Sequence, residues 1–133
     1  MTIKRSSEKV YLLSRTNLSF LLGKIGRFSV KEILKRYNID RKVFVKSLEQ
    51  HGLTMKDVHL KHRVHRVFVQ HYGASLFANL EDLASEYNVS LSRIFSIAWE
   101  LAKEQQIPES LVSFAEKALK EKTKFTTITN YRN

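Results

Sequence analysis

Apolar residues recur at intervals of three and four along most of the chain, a spacing typical of amphipathic helices. In the stretch 79–99 this pattern predicts two short helices joined by a tight turn. Asn79 should cap the first helix, with Asp82 as its capping-box partner, and Asn88 should end it because asparagine tolerates left-handed backbone. Ser90 should cap the second helix. The apolar positions expected to face the partner helix are Leu80, Leu83, Ala84, Tyr87, Ile94 and Ile97.

The same pattern occurs 50 residues earlier, in the stretch 29–49. Ser29 and Glu32 form the expected capping box of a first helix, Asn38 marks its end, and Asp40 caps a second helix. A Tyr-Asn pair precedes the turn in both stretches, at one ungapped offset. Chance likeness between two helix pairs is one explanation, but a duplicated unit is favoured. The expected inward positions of this first copy are Ile33, Leu34, Phe44 and Leu48.

The flanking segments are also expected to be largely helical. Residues 8–22 predict one or two helices, and residues 108–122 predict another, with the proline at its first position. Residues 123–133 show no helical period and predict a tail, or else a short strand.

The segment 54–72 allows two interpretations. Thr54 and Asp57 form a capping box that would start a helix. The valines of the segment would also suit a β-hairpin wing, formed by 58–60 against 66–69. No Asn-Gly or Asp-Gly turn signal lies between those runs, so a helix is favoured.

Charge divides the chain more sharply than hydropathy does. The net charge is +10, yet residues 73–133 hold seven Lys and Arg against eight Asp and Glu, a net −1. Residues 1–72 hold sixteen against five, a net +11. A basic half that also carries a helix-turn-helix pattern indicates a phosphate-binding surface.

These patterns together predict an all-α or mainly α protein. Two helix-turn-helix units, or alternatively winged-helix units, would pack as an internal pseudo-dimer. Residues 1–72 would form the basic unit, with a basic amino-terminal arm, and residues 73–133 the second unit, with a carboxy-terminal helix and tail. A duplicated chain of this kind would act as a monomer or a weak homodimer.

Several classes of protein are disfavoured by composition. The chain of 133 residues has no cysteine, so disulfides and thiolate zinc sites are excluded. No apolar run is long enough to cross a membrane, and no secretory signal is evident, so a cytoplasmic protein without membrane contact is expected. Phosphate loops, nucleophile elbows and His-Glu-x-x-His motifs are absent from the sequence. We therefore expect no enzymatic activity, no cofactor and no metal site.

The second helix of the first copy is the main candidate for reading DNA. Basic residues near the start of such a helix can reach guanine edges or phosphates in the major groove, and a valine can contact a thymine methyl. A solvated helix face is the simpler alternative. The candidate DNA-binding residues there are Arg41, Lys42, Val45, Lys46 and Gln50, with Lys31 and Lys35 on the preceding helix. Further candidates are Ser92, Arg93 and Ser96 in the second copy and Arg63 and Arg66 between the copies.

Two further features bear on binding. Phe95 is expected to project outward, where a partner would cover it, so the second copy is either a structural half or a second DNA reader. The histidines at 59, 62, 65 and 71 alternate with arginines and suit a phosphate-facing surface better than a metal site. If they contact phosphate, binding should weaken between about pH 6 and pH 8.

The tandem pattern of Tyr-Asn turns and capped helices resembles the helix-turn-helix family of DNA-binding proteins. The architecture and charge also resemble small DNA-binding accessory proteins of Gram-positive conjugative plasmids, and excisionase-like winged-helix regulators. This resemblance implies double-stranded DNA binding near a transfer origin or promoter, with relaxosome or transcription proteins as possible partners. The alternatives are a chromosomal or phage transcription regulator, RNA binding or nonspecific nucleic-acid compaction, and an adaptor that docks a partner through its second half.

Overall fold

The computed structural model describes residues 11–132, with side chains described through Lys122. The chain is mainly helical, and within the described residues it forms no strand beyond an isolated bridge between Ile25 and Phe28. The predicted basic arm, with Lys4 and Arg5, lies outside the described residues. The described helices are α1 (Arg15–Lys24), α2 (Val30–Arg36), α3 (Arg41–Gln50), α4 (Met55–Gln70), α5 (Gly73–Tyr87), α6 (Leu91–Lys103) and α7 (Glu109–Arg132).

The chain divides into two compact units, the amino-terminal unit Met1–His62 and the carboxy-terminal unit Arg63–Asn133. The division falls inside α4, ten residues before the boundary at 72 that charge suggested. The amino-terminal unit holds fourteen Lys and Arg against five Asp and Glu, a net +9. The carboxy-terminal unit holds nine against eight, a net +1.

The amino-terminal unit is built around one apolar cluster drawn from α1, α2, α3 and the first half of α4. Phe44 and Leu48 are fully buried in it, as their helical spacing predicted. Because Phe44 and Leu48 place one face of α3 in the core, the opposite face of α3 is exposed to solvent. The buried members of the cluster are Leu18, Leu21, Ile25, Val30, Ile33, Leu34, Phe44, Leu48 and Val58.

Buried polar groups at the edge of this cluster are hydrogen-bonded. Ser47 is fully buried; its hydroxyl donates to the carbonyl of Val43 at 2.7 Å and accepts the Leu13 N–H at 2.9 Å. The Lys61 side chain is also buried, and its Nζ donates to the Leu22 carbonyl at 2.7 Å. Leu22 lies near the carboxy-terminal end of α1, where the helix dipole favours a cation.

The predicted capping boxes of α2 and α4 are confirmed. Ser29 Oγ accepts the Glu32 N–H at 3.2 Å, and the Glu32 carboxylate accepts the Ser29 N–H at 2.8 Å. Thr54 and Asp57 make the equivalent pair of bonds at the start of α4. Because α4 then continues without a break to Gln70, the β-wing alternative is wrong and the helical interpretation is correct.

Four helix ends share one backbone motif. In the turn after α2, Asn38 has φ 51°, the Asn38 N–H bonds the carbonyl of Lys35, and the Ile39 N–H bonds that of Leu34 at 2.9 Å. This is the Schellman arrangement, which satisfies carbonyls at the end of a helix. The same bonds recur 50 residues later around Asn88, which has φ 55°. The helices α3 and α6 end in the same way, at Gly52 and at Gln105.

The start of α5 differs from the sequence-based expectation. The helix begins at Gly73, six residues before Asn79, so Asn79 is not a cap. Its side chain instead donates to the carbonyl of Ser75, one turn earlier, at 2.8 Å. The capping residue, Tyr72, makes no side-chain hydrogen bond to the helix. The sequence therefore contains no capping side chain that would mark the start of α5 at Gly73.

The carboxy-terminal unit also corrects the expectation for Phe95. In this unit α5, α6 and α7 pack on one another, and Phe95 is 4% exposed rather than outward-facing. Helix α7 begins at Glu109, one residue after Pro108, and its backbone is helical through Arg132. The prediction of a tail or strand for 123–133 is therefore wrong for residues 123–132.

Candidate nucleic-acid interface

The outward face of α3 carries a row of long polar side chains. Lys42, Lys46 and Gln50 follow one another at four-residue spacing, which places them along one line of the helix surface. All three are exposed, and Arg41 beside them is exposed as well. Val45 is half-buried, between the row of Lys42, Lys46 and Gln50 and the core. The face opposite to the core therefore carries Lys42 and Lys46, and the exposed carboxylate of Glu49 lies beside them.

The position of α3 is fixed at its start as well as along its inner face. Asp40 has extended backbone, and its carboxylate accepts the Lys42 N–H at 3.1 Å, as an N-cap should. The helix has 10 residues and is thus about 15 Å long, comparable with the roughly 12 Å width of a major groove. The cationic row is thus presented on a short, capped and anchored helix.

Helix α2 adds a second set of cations to the same helix pair. Lys31 and Lys35 are exposed and one turn apart, so they share a line on the surface of α2. Arg36 is exposed too, with its guanidinium 4.9 Å from the ring centroid of Phe28. All the amino-terminal residues predicted to contact DNA, Val45 apart, are thus solvent-exposed.

The surroundings of His59, near α3, change the pH dependence expected for this histidine. Burial lowers the pKa of His59, and the nearby positive charges of Arg41 and His62 lower it further. His62 Nδ1 lies 2.8 Å from the Gly26 carbonyl oxygen. His59 therefore lies beside α3, and its pKa is lower than the ordinary value for histidine, so it loses its proton at a lower pH than an unperturbed histidine would.

The corresponding helix of the second copy is differently surrounded. Ser92, Arg93 and Ser96 are exposed on α6, as expected, and Ser90 caps the helix by accepting the Arg93 N–H at 3.1 Å. Helix α7 packs along this part of α6 and leaves a groove of about 320 Å³ between them. The groove is lined by Leu91, Ser92, Phe95, Glu116, Leu119 and Lys120. Helix α7 thus covers Phe95, which matches Val45 at the 50-residue offset, while Ser92 and Ser96, which match Lys42 and Lys46, stay exposed.

The two arginines predicted in α4 have different surroundings. The guanidinium of Arg63 forms a two-bond pair with Glu86, at 2.9 and 3.1 Å, and lies 5.7 Å from the Tyr87 ring centroid. This pairing raises the pKa of Arg63 and lowers that of Glu86. The charge of Arg63 is thus already matched by a carboxylate. Arg66 is exposed.

Sequence reasoning missed one feature of the amino-terminal unit. Phe20 and Tyr37 meet edge to face, with ring centroids 5.7 Å apart, while 52% and 38% of their surfaces remain exposed. The signal was the spacing of Phe20 and Lys24, which places both on one side of α1. In the carboxy-terminal unit, Trp99 is half-buried and donates from Nε1 to Glu116, so it is no stacking platform.

Among the residues with described side chains, no group of three or more His, Asp or Glu is arranged to hold a metal ion. None of the described helices combines the length and the apolar character needed to span a membrane. No family model, curated protein or solved structure matches this chain.

Proposed function

We propose that the protein binds double-stranded DNA through α2 and α3, with a preference for particular sequences. The observation that carries the proposal is the exposed row Lys42, Lys46 and Gln50 on a helix whose inner face is anchored by Phe44 and Leu48. Arg41, at the first turn, would reach guanine edges or the flanking phosphates, and the row behind it would follow the groove. The net +9 of this unit supplies the attraction for a polyanion.

The finer part of the proposal concerns the second helix pair. In both helix pairs a left-handed asparagine, Asn38 or Asn88, is followed two residues later by an N-cap, Asp40 or Ser90. This repeat at a 50-residue offset supports two helix-turn-helix units that would act as an internal pseudo-dimer. Ordinary helix-turn-helix dimers place two reading helices about 34 Å apart, and a duplicated chain would supply both from one molecule, as a monomer or a weak homodimer. The second unit would contribute Ser92, Arg93 and Ser96, with less attraction for phosphate.

For the biological process we propose an accessory or regulatory role in conjugative plasmid transfer, at a transfer origin or promoter, in the cytoplasm. This rests on the resemblance in architecture and charge. A chromosomal or phage regulator, or an excisionase, would use the same DNA-binding surface. The adaptor alternative has lost its main support, because the side chain expected to dock a partner, Phe95, is buried in its own unit.

Selection from a random duplex pool, followed by sequencing, tests the proposal directly. We expect one enriched motif, and a log–log salt dependence whose slope changes by about 0.9 for each phosphate contact. The variant Arg41→Glu/Lys42→Glu/Lys46→Glu should lose at least about a hundredfold in affinity at moderate salt.

The matched control is Lys103→Glu/Lys117→Glu/Lys120→Glu, which reverses three exposed cations of the carboxy-terminal unit. We expect it to keep most of the affinity. Equal losses in both variants would show that only total charge matters and would contradict a reading surface on α3. A pool that returns no motif while binding persists would contradict sequence preference.

A further inference from the structure

The amino-terminal unit exposes an aromatic patch, formed by Phe20, Lys24 and Tyr37. The two rings are 5.7 Å apart at an interplanar angle of 81°. The ammonium of Lys24 lies 5.2 Å from the Phe20 ring centroid. Phe20 and Lys24 face the same side because they are one turn apart on α1. Tyr37 joins them from the turn that separates α2 and α3.

The geometry of the patch favours unpaired bases over a duplex. The bases of a duplex stack on one another, so their faces are not available to side chains, whereas unpaired bases stack on aromatic rings. The two rings stand at nearly right angles, and the Lys24 ammonium lies over one side of Phe20, so a base would stack on the ring surface that these contacts leave open. Over half of the surface of Phe20 is exposed, which leaves room for such contact.

The charges around the patch favour a polyanion over an apolar partner. The Lys24 ammonium borders one ring, and Arg36, the residue before Tyr37, is also exposed. An aromatic face beside a cation matches a nucleotide, which has a flat base next to a phosphate. The net +9 of the unit extends this attraction along the strand.

From these contacts we propose that the aromatic patch binds an unpaired nucleic-acid strand. Tyr37 lies four residues before Arg41, so the two Cα atoms are at most about 14 Å apart. The patch is therefore close to the proposed duplex-binding helix. This part of the inference rests on the proposed function: the full ligand would be duplex DNA with an adjacent unpaired segment.

The test compares three labelled probes: an oligothymidylate of about 20 nucleotides, the matching oligouridylate, and the selected duplex. Phe20→Leu/Tyr37→Leu should weaken oligothymidylate binding by roughly tenfold or more, because stacking of each base contributes substantially. Duplex affinity should change by less than about threefold. Binding of either single strand that the leucine variant weakens by roughly tenfold or more supports the proposal, whether the strand is DNA or RNA.

Two control variants separate stacking from folding. Tyr37→Phe keeps the ring and should retain single-strand binding, whereas a loss equal to that of the leucine variant would contradict stacking. Tyr72→Leu removes a tyrosine that is 82% exposed in the other unit and should leave binding unchanged. Far-UV circular dichroism checks that each variant is folded, and both substituted residues of the patch lie partly on the surface, so folding should survive.

The outcomes distinguish the two proposals. If the duplex binds but the single strand does not, or if the leucine variant binds it normally, the aromatic patch proposal is overturned and the duplex proposal stands. If the single strand binds through the patch while the duplex does not bind, the proposed function is overturned instead. If neither probe binds, both proposals fail.

Discussion

The helix pairs α2–α3 and α5–α6 have the same type of turn, but their second helices carry different side chains at matching positions. At the turns, Asn38 and Asn88 adopt the same left-handed backbone and make the same Schellman bonds. At four matching positions that the sequence predicted to face outward, the residues of α3 and α6 are entirely different. At the 50-residue offset, Arg41, Lys42, Val45 and Lys46 are matched by Leu91, Ser92, Phe95 and Ser96. The turn therefore constrains very few residue types, and the outward face can change while the turn is kept.

The helix that follows each pair accounts for part of this divergence. In the carboxy-terminal unit α7 packs on α6, and the position equivalent to Val45 is the buried Phe95. An apolar outward residue is stable there because another helix covers it. In the amino-terminal unit Lys42 and Lys46 remain exposed, so the same helix side stays cationic.

The largest expected effect is on the free energy of unfolding, when a matching core side chain in each helix pair is truncated to alanine. Phe44 and Ile94 are both fully buried, and they match each other at the 50-residue offset. Phe44→Ala should lower the free energy of unfolding by about 3–5 kcal/mol and Ile94→Ala by about 2–5 kcal/mol. Chemical denaturation followed by circular dichroism measures both. A loss below about 1 kcal/mol at either site would show that the two positions are not equivalent.

An exchange of outward residues tests whether charge alone separates the two pairs. Lys42→Ser/Lys46→Ser gives α3 the side chains of α6 and should lower DNA affinity roughly tenfold, with a salt slope reduced by about 2. Ser92→Lys/Ser96→Lys makes the reverse change. If α6 also contacts DNA, the reverse variant should raise affinity and steepen the slope. No change in the reverse variant would show that α6 does not approach the duplex.

Substitutions at the turn residues should have smaller and equal effects. Asn38→Ala and Asn88→Ala each place alanine in left-handed backbone and should lower the free energy of unfolding by about 1–2 kcal/mol. Asn38→Gly and Asn88→Gly serve as controls and should be nearly neutral, since glycine adopts this backbone readily. Thermal unfolding would reveal the difference, and clearly unequal losses for the two alanine variants would contradict the equivalence of the turns.

The smallest expected effect is a pH dependence confined to the amino-terminal unit. Because the folded protein lowers the pKa of His59, the unfolded chain binds this proton more readily. The contribution to stability is thus complete above pH 6.5 and falls as pH drops through the lowered pKa. DNA affinity should move the opposite way below pH 6.5, since phosphate favours the charged ring. His59→Gln should flatten both profiles, and unchanged profiles would remove His59 from the interface.

Local polar signals made much of this fold predictable. Ser29, Asp40, Thr54 and Ser90 each cap a helix as expected, because a capping hydrogen bond depends only on residues within one turn. The left-handed Asn88 was predictable for the same reason. Each of these hydrogen bonds joins residues within one helical turn, so the local sequence is enough to predict it.

The errors have a common physical cause in tertiary packing. The pattern Asn79-x-x-Asp82 looks like a capping box, but Leu76 is fully buried and extends α5 past it toward the amino terminus. The environment of Phe95 depends on α7, which lies far along the chain from the turn. The contact of Phe20 with Tyr37 likewise joins α1 to the turn after α2, so the spacing of Phe20 and Lys24 could indicate only the α1 part of it.

For the candidate site, the sequence predicted which residues are cationic and exposed but not their neighbours. The exposure of Lys42 and Lys46 follows from the helical period, since Phe44 and Leu48 fix the opposite face. The pairing of Arg63 with a carboxylate 23 residues away required the structure.

The hydrogen bond from the Leu13 N–H to Ser47 has a practical consequence. It attaches the chain just after residue 10 to the helix that bears the proposed DNA-binding cations. A bulky group attached close to Leu13 would therefore lie near the proposed DNA-binding surface. Labels for DNA titrations should be placed away from this attachment point.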